Sequence, residues 1–196
     1  MISIGVSSSA MDKMWQAPAE GGSTNPLHKP LVHLVSDLYI KQLLPGEELD
    51  TFTATFTGYI DKCLRWETMT GNYVLASTAN EMRLSLLSWC GETLVTAVTH
   101  ALFGEKLLEL EPEIVQAYFD FNDDGWMMFY KYPRFAAKKM YAARAKVIDA
   151  LTSYLQLPRE LRQGASWLVQ SIEDEQRKLG VNEKDMARLL MMVYWA

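Results

Sequence analysis

Apolar residues recur at helical spacing along most of this chain. Leu31, Leu34, Val35, Leu38 and Tyr39 share one helical side and predict a helix from Leu31 to Pro45. Pro45-Gly46 stops it, and Glu47 and Glu48 suit the positive end of a second helix that runs to about Trp66. Within that helix Thr51, Thr53, Thr55 and Thr57 alternate as strand residues do. Phe52, Phe56, Tyr59, Ile60 and Cys63 nevertheless keep one helical face, which decides for helix. After a turn at Thr70-Gly71-Asn72 and the short apolar piece Tyr73 to Ala76, a long helix is expected from Asn80 to Phe103, with Gly104 as its C-cap. Ile114 to Tyr130 predicts a strongly apolar helix, and Arg134 to Leu155 an Ala/Lys/Arg-rich one closed by Pro158. Ala165 to Leu179 reads as a helix stopped by Gly180, and Asn182 caps a last helix with Asp185 at its third position. The first 25 residues are Ser/Gly-rich and predict loop, with a short strand at Ile2 to Val6.

The last helix ends in LLMMVYWA, apolar on every side. A helix of that kind belongs under neighbours on all faces. It carries no C-cap and no basic last turn, so the expectation is a chain cut at the start of a central helix.

Composition narrows the functional classes. The 196 residues are enough for one domain that buries roughly 70% of its unfolded surface. A net charge of −5 argues against nucleic acid as a partner, since phosphate binding needs a basic face. Cys63 and Cys90 form no disulfide framework and sit in no metal-ligand spacing. The longest apolar run, Leu189 to Ala196, is short of the roughly 20 residues that span a bilayer, and MISIGVSSSAMDKMW lacks the form of a signal peptide. His28, His33 and His100 make no i, i+4 ligand pair, and neither a GxSxG elbow nor a phosphate-cradling Gly-rich loop is present.

Three clusters carry candidate chemistry. Asp120, Asp123 and Asp124 lie on one helical side and could hold Mg²⁺ for diphosphate ionisation, or be a solvated acidic face beside a bend at Gly125. Trp126, Met127, Met128, Phe129 and Tyr130 form an aromatic/Met block, read either as core packing or as a soft wall for varied apolar ligands. Arg134, Lys138, Lys139, Arg144 and Lys146 give a basic helix face, either solvated or laid on anionic lipid headgroups.

Four stretches, in order, carry a family resemblance: LPGEELDTFTATFTGYIDKCLRW, LSLLSWCGETLVTAVTHALFG, YFDFNDDGWMMFYKYPRFAAKKMYAARAKVIDALTSYLQLP and NEKDMARLLMMVYWA. Together they resemble the central helices of a cytochrome P-450 of the fungal microsomal type. The resemblance implies an all-α fold in which residues 26–196 are part of the helical domain, behind a loop-rich segment 1–25. It implies a haem-dependent monooxygenase that inserts one oxygen atom into an apolar small molecule. An electron-donating reductase would be its partner, on the cytoplasmic side of the endoplasmic reticulum, with peripheral membrane contact through the basic face. Trp126, Met127, Phe129 and Tyr130 would line the substrate cavity, and Lys29 and His33 in KPLVH would meet a haem propionate. The iron's cysteine loop, the Glu-x-x-Arg pair and the oxygen-activating acid/Thr turn have no counterpart in this sequence, so no catalytic residue is expected here and the isolated chain is expected to be inactive. Two alternatives stand beside this reading: a non-catalytic all-α domain that binds a partner or apolar ligand, and a Mg²⁺-dependent isoprenoid enzyme.

Overall fold

The computed structural model describes residues 5–19, 22–71 and 73–195. Among these, ten α-helices and one two-stranded antiparallel hairpin form an almost wholly helical body. The helices are α1 (Ser8–Trp15), α2 (Leu31–Leu43), α3 (Glu47–Cys63), α4 (Leu86–Phe103), α5 (Glu105–Leu110), α6 (Ile114–Asp124), α7 (Trp126–Phe129), α8 (Lys138–Gln156), α9 (Trp167–Lys178) and α10 (Glu183–Trp195). The strands are β1 (Val74–Ser77) and β2 (Met82–Leu84).

The core is organised on α8, which packs against both α6 and α10, while α2 lies on α9 and α3 on α4. Met140, Val147, Leu151 and Tyr154 of α8 meet Met186, Leu190 and Tyr194 of α10 in one buried cluster. The apolar last helix is covered on most but not all of its sides: Met186, Ala187, Leu190, Met191, Val193 and Tyr194 are buried, whereas Leu189, Met192 and Trp195 are half-buried. Its start is capped as expected, with Asn182 Oδ1 accepting from the Asp185 N–H at 3.0 Å.

Three expectations are corrected. The segment before Asn25 is not simply loop, because Ser7 caps α1 and Ala10 and Met14 of that helix join the main core. Its Ser-rich sequence has weak helix propensity, and tertiary contacts outweigh this: the Ser7 N–H and Oγ both donate to Asp185, at 2.9 and 2.7 Å. Of the strand expected at Ile2 to Val6, residues 2–4 lie outside the described residues, and Gly5 and Val6 are irregular. The long helix expected from Asn80 begins at Leu86 instead, because Met82–Leu84 pair with β1 and Ser85 caps α4 by accepting from Ser88 N–H. The helix expected over Ile114 to Tyr130 breaks at Gly125, where the Trp195 ring approaches so closely that a Cβ would lie 3.1 Å from it.

The turn after α4 depends on glycine. Gly104 has φ 72°, and a Cβ there would stand 2.3 Å from the Gln163 carbonyl oxygen. Next to it, Ser166 N–H donates to Leu102 O at 2.9 Å, which ties α4 to the entry of α9. Gly104→Ala combines a left-handed strain with a backbone clash, so a loss of at least about 2 kcal/mol is expected in urea unfolding. An unchanged midpoint would show that this contact is not tight in solution.

The α3/α4 pair is covered less than the rest. No residue of α3 is fully buried, and Leu86 and Leu87 of α4 are 69% and 85% exposed. By length and composition α4 is apolar enough to cross a membrane, although its last turns, Ala97 to Phe103, pack largely into the core.

Candidate functional site

An apolar cleft opens where α10 ends, between α2, α4 and α9, with a volume of about 320 Å³. Helix α2 contributes Tyr39, Gln42 and Leu43; α4 contributes Val98 and Leu102; and α10 contributes Val193, Tyr194 and Trp195. Phe52 of α3, Tyr118 of α6 and Leu168 of α9 complete the walls. The volume lies at the low end of the roughly 300–1,000 Å³ of small-molecule pockets.

Most polar groups on this surface are already committed. Gln42, buried, donates through Nε2 to Glu48 O at 2.7 Å and accepts at Oε1 from Leu168 N–H at 3.1 Å, which locks α2 to α9. Thr99 Oγ1 donates to Val95 O at 2.7 Å, so in its 2.6 Å contact with Tyr194 the phenol must be the donor. Burial also pushes the Tyr194 hydroxyl well above the ordinary tyrosine range, so it stays protonated. Trp195 Nε1 donates outward to Asn122 Oδ1 at 3.2 Å. Among the described residues, the hydroxyls of Tyr39 and Tyr118 make no hydrogen bond to protein. Burial raises the Tyr118 phenol too, which keeps it a neutral donor. The surface thus offers apolar walls and the hydroxyls of Tyr39 and Tyr118, a set suited to holding an apolar molecule by one polar group.

The aromatic/Met block stands beside this cleft and is not among its walls. Trp126, Phe129 and Tyr130 are 45%, 46% and 75% exposed, whereas Met127 packs against the core. Trp195 links the two regions: its ring lies 5.7 Å from Phe129 and 5.1 Å from Phe121 while it also lines the cleft. The sequence named the block from its composition. It gave no sign that residues on α2 and α4 shared the cavity, because they lie far apart in sequence and only packing brings them together.

No family model, no curated protein and no solved structure matches this chain.

The residues present do not fit the ligation of a haem iron. Cys63 is half-buried on α3, and burial raises its thiol despite hydrogen bonds with Tyr59 and Thr93, so the thiolate an iron demands is disfavoured. Tyr59 is in turn pushed up to about 12 by burial and by Cys63. Cys90 is half-buried on α4. The Lys29 ammonium pairs with Asp37 at 2.5 Å, and the His33 ring stands edge-on to Trp15 at 5.3 Å. His100 lies 5.1 Å from the Tyr59 ring, its pKa lowered by burial against the pull of Glu105.

Among the described residues no group of three or more His, Cys, Asp or Glu is placed to hold a metal ion. Asp120 accepts from Gln116 at 3.1 Å, and Asp123 is exposed. The basic face divides in two: Lys138, Lys139 and Lys146 are exposed, with Lys146 facing Glu113 at 3.8 Å, while Arg144 turns toward α10.

Proposed function

We propose that this chain forms the wall of an apolar-ligand cavity in a haem-dependent monooxygenase of the cytochrome P-450 type, supplying shape and orientation and no catalytic group. The cleft at the end of α10 carries this reading. The last helix, apolar over its final turns, delivers Val193, Tyr194 and Trp195 to it, beside the phenols of Tyr39 and Tyr118, which make no hydrogen bond among the described residues. The order of the four resembling stretches supports the monooxygenase class. Haem, reductase and the endoplasmic reticulum belong to that resemblance, and no oxygen chemistry is derived from the residues of this chain. The block at Trp126, Met127, Phe129 and Tyr130 would extend the apolar wall outward from Trp195.

A second reading is a non-catalytic helical domain that binds an apolar ligand in the same cleft, which needs no group beyond the residues that line it. Both readings share the cleft and differ in what accompanies it.

The cleft is tested with 2-naphthol, an apolar ring carrying one hydroxyl, followed by quenching of tryptophan emission. Saturable quenching is expected, and a Trp195→Phe chain should lose most of the signal. Leu43 is half-exposed at the mouth, so Leu43→Trp fills space without opening the core and should weaken binding by about tenfold or more. Equal binding in that variant and in Leu161→Trp, a substitution outside the cleft, would sink the cavity. The monooxygenase part is tested by sequencing the transcript past the codon for Ala196. A frame that continues into a Gly-rich cysteine loop supports it, and a stop codon in every transcript leaves the binding domain.

A further inference from the structure

Helix α3 is held unlike its neighbours. Every other helix of eight or more residues buries at least two residues fully, from Ala10 and Met14 of α1 to the long core face of α8. Over its 17 residues α3 buries none. Phe52, Phe56, Tyr59, Ile60 and Cys63 on its inner side are only half-buried. Among the described residues, Phe52 is the one through which α3 packs against the main core. The same Phe52 is a wall of the apolar cleft, together with Tyr39 and Leu43 of α2.

The two halves of α3 differ. Residues 59–63 are fastened to α4: the Tyr59 ring lies 5.1 Å from that of His100, and Cys63 hydrogen-bonds with the buried Thr93. Among the described residues, residues 47–58 have one hydrogen bond to another helix, from Gln42 Nε2 to the Glu48 carbonyl. Local sequence adds little strength. Thr51, Thr53, Thr55, Thr57 and Gly58 all rank low as helix formers, and all five are exposed, so packing returns nothing. Thr55 and Thr57 donate their hydroxyls to the Thr51 and Thr53 carbonyls at 3.0 and 2.7 Å, which spends them within the helix. At both Gly46 and Gly58 a Cβ would meet nothing within 4 Å, so neither end of this half is pinned by neighbours. A segment with so few buried contacts opens before the rest of the fold.

We propose that residues 47–58 are a lid over the apolar cleft: they unwind between Gly46 and Gly58, carry Phe52 out of the wall to let a ligand pass, and rewind to close on it. The inference rests on the apolar-ligand reading of the cleft and deepens it by naming the part that moves. Opening gives up the Phe52 packing and the Gln42–Glu48 bond. Gln42 Oε1 keeps its bond from Leu168 N–H, so α2 stays locked to α9. Tyr59 and Cys63 stay on α4 as the anchor. Entry and exit share this route, so the lid sets the rates of binding and leaves the affinity to the walls.

Stopped-flow quenching of tryptophan emission by 2-naphthol tests this on the full chain and on Thr53→Ala/Thr57→Ala/Gly58→Ala. These positions are exposed and outside the cleft, and alanine strengthens the helix there without adding a contact at Gly58. Association and dissociation are both expected to slow by about tenfold with affinity unchanged, because the closed lid is stabilised equally with and without ligand. Hydrogen exchange reads the lid in the absence of ligand. Amides of residues 51–58 should exchange faster than those of α8 and α10, and the triple variant should slow them. Equal binding rates in the two chains, or exchange of this segment as slow as that of α8, overturns the lid and leaves the cleft standing. Absence of quenching in the unaltered chain defeats the cleft, and the lid with it.

Discussion

Glu173→Ala is expected to lower stability by about 3–5 kcal/mol, because it leaves a buried guanidinium without its counter-charge. Arg162 is 5% exposed and Glu173 1% exposed, and they meet in a two-pronged pair at 3.0 and 2.8 Å. Arg177 Nε adds a third bond to the same carboxylate at 2.8 Å. The remaining donors are also used: Arg162 Nε bonds Leu157 O and Arg177 Nη2 bonds Leu155 O, so the network fastens α9 to the end of α8. Urea unfolding near neutral pH measures the loss. Arg162→Met/Glu173→Leu, which removes both charges, should recover much of it, since an apolar pair of similar size can replace a buried ion pair. A double variant as unstable as Glu173→Ala would assign the effect to packing.

The same carboxylate sets the acid limb of stability. Burial alone would raise the Glu173 pKa, yet hydrogen bonds from Arg162 and Arg177 outweigh it and hold the group below the ordinary range. Asp185 behaves likewise: bonds from Ser7, Asn182 and Arg188 overcome burial and bring it to about 2. Both groups titrate lower when folded than when unfolded. Their contribution is therefore complete above the ordinary carboxylate range and fades as pH falls through it toward the folded values. Asp185→Asn should flatten this acid limb, and an unchanged pH profile would show that Ser7 does not reach it in solution.

Phe103→Ala is expected to cost about 3–5 kcal/mol and to weaken 2-naphthol binding as well. Phe103 is fully buried, and the rings of Tyr154 and Tyr194 meet it edge-on at 5.7 and 5.6 Å. Tyr194 lines the cleft, so a void behind it loosens the wall that shapes the ligand. The bond from Tyr154 Oη to the Phe103 carbonyl at 2.9 Å involves backbone and survives the substitution, which limits the loss to packing. Thermal unfolding and the quenching titration should change together. Full destabilisation with unaltered binding would separate the cleft from this aromatic cluster.

The sequence by itself determined the helical character and several ends. The spacing of Leu31, Leu34 and Leu38 predicted α2, and the cap at Asn182 with the apolar run from Leu189 predicted α10; the structure buries Leu31, Leu34 and Leu38 of the first and Leu190, Met191, Val193 and Tyr194 of the second. Gly104, Gly180 and Asn182 marked termini correctly, because cap chemistry acts within a few residues and is legible locally. Local pattern could not separate β2 from the helix that follows it, nor reveal α1, whose eight residues hold only when Ala10, Met14 and the Ser7–Asp185 contact find the core.

The candidate site was the least legible part. Tyr39 and Tyr194 stand far apart in sequence, and their spacing carries no signal. Helix periodicity tells which side of each helix is apolar or charged. Which side meets which depends on how α8 packs against α10 and α2 against α9, and that is decided by the fit of whole faces. The shape of the cleft is therefore a product of packing, while the helices that build it are products of local sequence.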